Sequence, residues 1–545
     1  MRTAEGGGQV NASRRRGIVD PGPPAVETNR TREELAVVSD TRPAAVVVLA
    51  AGEGTRMRSS LPKVLHEICG RSLLGHAVTA ARSLQPERLV VVVGHGRDPV
   101  VAHLQLVDAG AEVAVQEQQL GTAHAVQVAL GAIDAPERPL HGTVVVVMSA
   151  DVPMLTDTTL ASLVDTHDRD GNAVTVLTAR VTDPAGYGRI LRGEAGEVLG
   201  NVEHRDASPE QLMITEINSG TYAFDTKTLR QALGAIGENN AQGERYLPDV
   251  LAIARAGGRR VGAVQVADPD EVLGVNDRVQ LAEVRRRLNT VILTAWMRAG
   301  VTVVDPATTW VDVDVTLEPD VVLLPGVSLE GATSIGAESR IGPECTLRET
   351  VVGEGATVVR SHLVGAQVGA GSEVGPYAYL RPDAVLGPQS KIGTFVEVKG
   401  STIGRGAKVP HLTYVGDAEI GDETNIGAAS VFVNYDGIEK HRTVVGDHCR
   451  TGSDTMFIAP VTIGDGAYTA AGSVITQDVP PGAMAVARTR QRNIEGWVLR
   501  RRAGTPAAEA AGQALERVRQ TASDSASDRS VVTDGEGAGT VTGSA

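Results

Sequence analysis

The sequence predicts an α/β domain followed by a parallel β-helix, and three observations carry that prediction. Between residues 303 and 486 aliphatic residues recur every six positions: Val368, Val374, Leu380, Leu386, Ile392 and Val398 share one grid, and Ile335, Ile341 and Leu347 an earlier one. Most of these aliphatics are followed by Gly, as in Ile335-Gly336, Val368-Gly369, Ile392-Gly393 and Ile426-Gly427. Upstream, apolar runs at 45–49, 89–93, 113–115 and 143–148 alternate with helical patterns at 73–84 and 122–130.

A six-residue period fits neither a helix nor an ordinary strand. A coil of short strands produces it when an aliphatic fills the inside of each face and a small residue turns each corner. The grid slips by one residue at Ile403, slips again at Ile420, and resumes near Val445 and Ile463. Such a prism buries its own core yet presents flat sides, so it commonly stacks on copies of itself. The upstream alternation predicts an open parallel sheet with helices on both faces and a ligand at the carboxyl ends of its strands.

The chain has 545 residues and a formal net charge of -15, which argues against a nucleic acid or an anionic membrane held by a general basic field. Cys69, Cys345 and Cys449 are too few and too scattered for a disulfide framework or a CxxC metal site, and no apolar run can span a bilayer. A cytoplasmic protein with small-molecule ligands is expected.

Residues 1–42 read as a disordered extension. The first strand then delivers Leu49-Ala50-Ala51-Gly52-Glu53-Gly54-Thr55-Arg56-Met57, followed by Leu61-Pro62-Lys63. Small residues let backbone N–H groups approach a phosphate, and Arg56 and Lys63 supply positive charge above them. Met57 stands where a dinucleotide fingerprint needs its third Gly, and no Gly-Lys-Ser/Thr is present for a Walker A loop. Asp151 follows the fourth strand, where it fits either an Asp-x-Pro turn or a magnesium ligand. Asn276 stands before an amphipathic helix at 277–298, where it fits that helix's N-cap. That helix should bury Leu281, Val284, Leu288, Val291 and Ile292 and connect the two domains. Along the coil, Arg381, Lys399, His411, Tyr414, Asn425, Asn434, Tyr435, Lys440, Ser453 and Arg488 break the aliphatic-Gly pattern, and 434–444 interrupts the grid as a loop. After 487 a basic segment, a helix at 507–520 and a disordered remainder are expected.

The LAAGxGTRM stretch with its downstream Pro62-Lys63 resembles the signature of sugar-nucleotide pyrophosphorylases. Followed by a long hexapeptide coil, it resembles over about 44–500 the family of bacterial bifunctional N-acetylglucosamine-1-phosphate uridyltransferases and glucosamine-1-phosphate acetyltransferases. The resemblance implies a Rossmann-like nucleotidyltransferase domain over 43–277, a linker helix over 278–300, and a left-handed β-helix acetyltransferase domain over 301–500. Residues 501–545 read as a largely disordered tail.

By that resemblance, UTP and the sugar phosphate are bound by Leu49, Ala50, Ala51, Gly52, Gly54, Lys63, Gln116, Gly121, Thr122, Ser149, Ala150, Asp151, Gly188, Glu203, Asn218 and Asn276. Arg56 and Lys63 assist catalysis, Mg²⁺ sits on Asp151 and Asn276, and Tyr187-Gly188-Arg189 belongs to the sugar-phosphate contacts. Many relatives carry Tyr-Gly before this Asp, so Ser149-Ala150 is a departure, and Glu53 occupies a variable position. In the coil the resemblance implies His411 as the base, Arg381, Lys399, Tyr414 and Asn425 for glucosamine-1-phosphate, and Ala428, Asn434, Tyr435, Ser453, Ala471 and Arg488 for acetyl-CoA. It also implies a homotrimer with shared acetyl sites, and a role in supplying cell-envelope precursors. A single-activity pyrophosphorylase with a trimerising coil is the competing reading, and a scaffold with a degenerate enzyme domain is a third.

Overall fold

The computed structural model describes residues 42–94, 96–134 and 141–530. The extension expected over 1–42, apart from Arg42, and the tail beyond 530 lie outside the described residues. Ala45–Ala50, Arg88–Val93, Glu112–Val115 and Val144–Ser149 form the expected strands. They pair in parallel, and their apolar side chains are buried against helices that include Leu73–Ser83 and Thr122–Ile133. Ser72 caps the first of these helices by accepting from the Gly75 amide.

The sheet is mixed rather than wholly parallel. Its order runs Val261–Gln265, Val174–Arg180, Glu216–Asp225, Val144–Ser149, Ala45–Ala50, Arg88–Val93, Glu112–Val115, and Glu216–Asp225 is antiparallel to both neighbours. Asp225 lies opposite Val144 and Tyr222 opposite Val147, so the start of that strand reaches the carboxyl edge of the parallel strands. The reversal delivers Asn218 to the ligand edge, which a parallel strand in this place would not do.

The linking helix spans Arg278–Arg298, and its N-cap is Asp277, whose carboxylate accepts from Val279 N and Gln280 N, each at 2.9 Å. Asn276 is therefore not the cap. Leu281, Val284 and Leu293 are buried as the helical period requires, whereas Val291, expected on that side, is 52% exposed. Asn289 takes the buried place, because its amide donates to Thr309 O at 2.8 Å and accepts from Val311 N at 3.0 Å. These two bonds tie the helix to the first turn of the coil.

From Thr302 the chain winds into a prism with three parallel sheets as its faces, consistent with the expected left-handed hexapeptide coil. One face stacks Leu329, Leu347, Leu363, Leu380, Val398 and Val415 in register, all buried. Phe432 and Phe457 continue it with ring centroids 4.8 Å apart. Each such side chain contributes about 1.5–3 kcal/mol when fully buried. The register explains the slips: Leu380 pairs with Val398 three full hexapeptides on, whereas Val398 pairs with Val415 and Leu386 with Ile403 one residue sooner.

The glycines have a different reason from the one expected. A Cβ on Gly336 would lie 2.6 Å from Glu354 N, and one on Gly369 2.5 Å from Gly387 C, so these glycines permit coil-to-coil approach. One corner is turned by non-glycine residues with left-handed backbone, including Tyr377, Phe395 and Leu412.

After the coil, helices span Trp497–Arg501 and Pro506–Ser530. The second runs beyond the expected 507–520, into residues read as structureless. Its start has Thr505 Oγ1 accepting from Ala508 N, Pro506 in the first turn, and an Ala- and Glu-rich run behind. Among the described residues no helix is long and apolar enough to cross a membrane, and the three cysteines are buried free thiols.

Replacing Asn289 by Ala leaves a buried carbonyl and a buried amide without partners, at about 1–3 kcal/mol for each. Denaturant titration of the full chain should show N289A less stable by about 2–4 kcal/mol, against under about 0.5 kcal/mol for the exposed V291A. Equal midpoints for N289A and wild type would show that the clamp carries no stability.

Candidate functional sites

Two adjoining clefts, of about 280 and 610 Å³, open at the carboxyl edge of the mixed sheet and share Leu49, Thr122, Ser149, Asp151 and Glu244. The smaller is lined also by Ala50, Ala51, Gly52, Lys63, Gln116 and Gly121. The larger adds Arg56, Gly188, Glu203, Asn218 and Asn276. Two predicted residues stand behind the walls. Ala150 is buried, its amide bonded to Leu49 O at 3.0 Å. Gly54, at φ 63, lies so close to Lys63 that a Cβ there would sit 2.6 Å from Lys63 Cβ.

At the junction of the clefts, Lys63 Nζ donates to Asp151 Oδ2 at 2.5 Å and to Asn276 Oδ1 at 3.5 Å. Arg56 Nη2 also donates to Asn276 Oδ1, at 2.8 Å, and Ser149 Oγ to Asp151 Oδ1 at 2.6 Å. Val275 N donates to Asp151 O at 2.9 Å, which fixes the Asn276 turn beside the Asp151 turn. Three segments far apart in sequence thus meet around one cation. The Lys63 ammonium stands in for the charge that a divalent ion would bring, between two hard oxygen donors of the kind Mg²⁺ takes. The residues therefore fit a divalent metal completed by substrate phosphate and water. Ser149, the departure from Tyr, orients the Asp151 carboxylate.

Gln116 Nε2 donates to Gly121 O at 3.1 Å, closing the loop that carries Gln116, Gly121 and Thr122 along the smaller cleft. Gln119 Nε2 donates to Ala51 O at 2.7 Å; it lines the smaller cleft, although it was not among the individually predicted site residues. In the larger cleft Asn201 Nδ2 donates to Glu203 Oε1 at 2.7 Å, and Asn218 Nδ2 to Tyr222 OH at 2.6 Å. Burial is the main cause that raises the Glu203 carboxyl above its ordinary range. Arg189 departs from expectation. It is 1% exposed and its guanidinium donates to Tyr187 O, so it supports the turn from the core instead of lining the cleft. Tyr246 and Glu244 line the cleft without having been singled out; both are loop residues with no periodic signal.

The second cluster lies on the prism. Arg381, Lys399 and Tyr414 come from successive coils of one face. Arg381 Nη1 donates to Glu397 Oε1 at 3.0 Å, and Lys399 Nζ to both Asp417 oxygens, at 2.8 and 3.0 Å. Gly416 makes room here, since a Cβ would sit 2.5 Å from Tyr414 OH and 2.7 Å from Asn434 Nδ2. Lys440, on the loop, faces Lys399, which is the main cause depressing the Lys440 ammonium's proton affinity. Crowded cations of this kind are suited to a phosphate.

His411 ends the strand Lys408–His411 three residues before Tyr414; its ring makes no hydrogen bond among the described residues. From it a column of backbone bonds climbs the prism edge. Ala429 N donates to His411 O, Asp454 N to Ala428 O and Gly472 N to Ser453 O. Ala428, Ser453 and Ala471 thus stand one coil apart, and Arg488 begins where the column ends. Asn425 stands apart from Lys399, bridged to Lys408 and Arg450 on another face. Tyr435 is exposed on the loop, its OH donating to Gly437 O at 2.7 Å.

Residues 46–213 match the MobA-like NTP transferase domain, and residues 442–477 the bacterial transferase hexapeptide family. The bifunctional protein GlmU of Streptomyces coelicolor is 61% identical over 479 residues, covering 87% of this chain and 98% of its own. That of Thermobifida fusca is 58% identical over 480 residues, covering 88% and 99%. That of Corynebacterium glutamicum is 56% identical over 471 residues, covering 86% and 96%. With an NTP-transferase cleft, a hexapeptide coil and near full-length identity of this order, the chain belongs to the bifunctional GlmU family.

Proposed function

We infer that the chain is a bifunctional enzyme of UDP-N-acetylglucosamine synthesis. Its coil moves acetyl from acetyl-CoA to glucosamine-1-phosphate, and its α/β domain then moves uridylyl from UTP to N-acetylglucosamine-1-phosphate. The observation that carries this reading is that one chain holds two separate constellations: oxygen donors around a cation in a nucleotide-sized cleft, and a cationic cluster beside an unengaged imidazole on the prism.

In uridylyl transfer the phosphate oxygen of the sugar attacks the α-phosphorus of UTP, and the bond to pyrophosphate breaks. The nucleophile is already anionic, so positioning and charge neutralisation suffice. Asp151 and Asn276 would hold Mg²⁺, which when bound offsets phosphate charge. Lys63 and Arg56 turn their N–H groups from these two side chains toward the phosphates. Gly52 leaves the strand-end backbone open, Gln116, Gly121 and Thr122 form the wall for the base, and Glu203 and Asn218 meet the sugar.

In acetyl transfer the amine of glucosamine-1-phosphate loses a proton to His411 and attacks the thioester carbonyl. The C–S bond breaks, and the departing CoA sulfur takes a proton back. Arg381, Lys399 and Lys440 receive the sugar phosphate, with Tyr414 and Asn425 on the sugar. Ala428, Asn434, Tyr435, Ser453, Ala471 and Arg488 hold the coenzyme along the prism edge.

A homotrimer with shared acetyl sites accounts for two further features. Tyr377 and Phe395 stack at 5.4 Å and, with Leu412, form an exposed apolar column beside His411. Asn425 lies on a different face from Lys399 and reaches a sugar only if faces of different subunits meet. A cytoplasmic enzyme is the reading that the buried free thiols and the small charged substrates support.

His411→Ala should lower acetyl transfer about 10²–10⁴-fold while uridylyl transfer stays within about twofold of wild type; a parallel fall of both in a folded protein would contradict separate sites. Asp151→Ala should cut uridylyl transfer by about a hundredfold or more and spare acetyl transfer. Unaltered metal dependence in that variant would remove Asp151 from the ligand set.

A further inference from the structure

Asp417 lies at the centre of the prism cluster, and neither the six-residue pattern nor the predicted site marked it. Its two carboxylate oxygens accept from Lys399 Nζ at 2.8 and 3.0 Å, and Oδ2 also accepts from Asn434 Nδ2 at 2.5 Å. Its backbone is engaged as well: the amide donates to Lys399 O at 3.0 Å, and the carbonyl accepts from Thr443 N at 3.3 Å. Asn434 and Thr443 are the two roots of the loop that leaves the coil, between the strands Val431–Val433 and Thr443–Val445. The roots are drawn together further by His441 N, which donates to Asn434 O at 2.8 Å.

One residue therefore holds, by side chain and backbone, both roots of the loop and the ammonium that faces the phosphate. We propose that Asp417 is a positioning residue that couples the sugar-phosphate pocket to the coenzyme loop. The proposal rests on the acetyl-transfer reading above. Without sugar phosphate, Asp417 is the counter-ion of Lys399. An entering phosphate dianion competes for that ammonium and draws it toward Arg381 and Lys440. The freed carboxylate then serves Asn434 alone, so the loop root tightens as the sugar phosphate binds. The resting charge favours entry of the anion, because Arg381, Lys399 and Lys440 outnumber the carboxylates of Glu397 and Asp417.

The test is an initial-rate grid in both substrates, reading CoA thiol release, for wild type and Asp417→Asn. Residue 417 has φ 49, a backbone that Asn adopts as readily as Asp, so this variant keeps the fold; an unfolding midpoint checks it. In wild type the KM for acetyl-CoA should fall as glucosamine-1-phosphate rises. In D417N the KM for glucosamine-1-phosphate should stay level or fall, because a competing anion is gone. The KM for acetyl-CoA should rise at least about fivefold, an effect of order 1 kcal/mol, and lose its dependence on the sugar. A merely structural lesion would instead lower kcat and raise both KM values together. That outcome, or two unchanged KM values, overturns the coupling while acetyl transfer by wild type stands. If wild type releases no thiol at all, the acetyl-site reading falls and the coupling with it.

Discussion

Backbone hydrogen bonding between successive coils is the constraint on which the prism depends. Every strand of the coil pairs in parallel with the one a turn below, so side chains at one register position stand in columns about 4.8 Å apart. Inside, the columns are Leu, Val, Ile and Phe, which bury without any polar obligation. Outside, the same spacing brings Arg381 and Lys399 to one face on successive coils, with Tyr414 in register with Glu397, and sets Ala428, Ser453 and Ala471 as a ladder on one edge. A long, thin coenzyme and a compact sugar phosphate can thus be met by a scaffold with no domain cleft. Close approach of the coils is also what demands Gly336 and Gly369, whose hypothetical Cβ atoms would strike the next coil.

The α/β domain solves a different problem, that of holding like charges close without substrate. Asp151 and Asn276 are brought together from distant turns, and Lys63 and Arg56 fill the space that phosphates and a cation would otherwise take. The prism uses the same device, with Glu397 on Arg381 and Asp417 on Lys399. In both centres the resting ion pairs are internal substitutes for the substrate, which lowers the reorganisation needed when a phosphate arrives. The carboxylates there are pulled two ways. Burial pushes the Asp417 acid up, and the bonds from Lys399 and Asn434 outweigh it and hold it low.

Most of this was legible where a residue's role is local. Glycine spacing after the first strand, Pro62-Lys63, Asp151 at a strand end, and the broken hexapeptide grid at 434–444 each carry their meaning in sequence. What stayed hidden depends on three-dimensional partners. Asp417 looks like one more polar corner residue until Lys399, Asn434 and Thr443 converge on it. Val291 has the right period for burial, yet Asn289 wins the place because two backbone groups of the coil need its amide. Arg189 sits in a site motif but turns inward, and the antiparallel direction of Glu216–Asp225 has no sequence signal except the Gly220 bulge beside Asn218. The N-cap reading of Asn276 fell to its neighbour, Asp277, which takes the cap.

The central claim is that the coil is itself a catalytic domain and not only a scaffold. The most direct measurement is release of free CoA thiol from purified protein given acetyl-CoA and glucosamine-1-phosphate, with UTP withheld. Thiol release proportional to enzyme, with N-acetylglucosamine-1-phosphate as the product, is the predicted result. Normal UTP-dependent pyrophosphate release with no thiol would contradict it, and would leave the prism as an assembly element of a single-activity pyrophosphorylase.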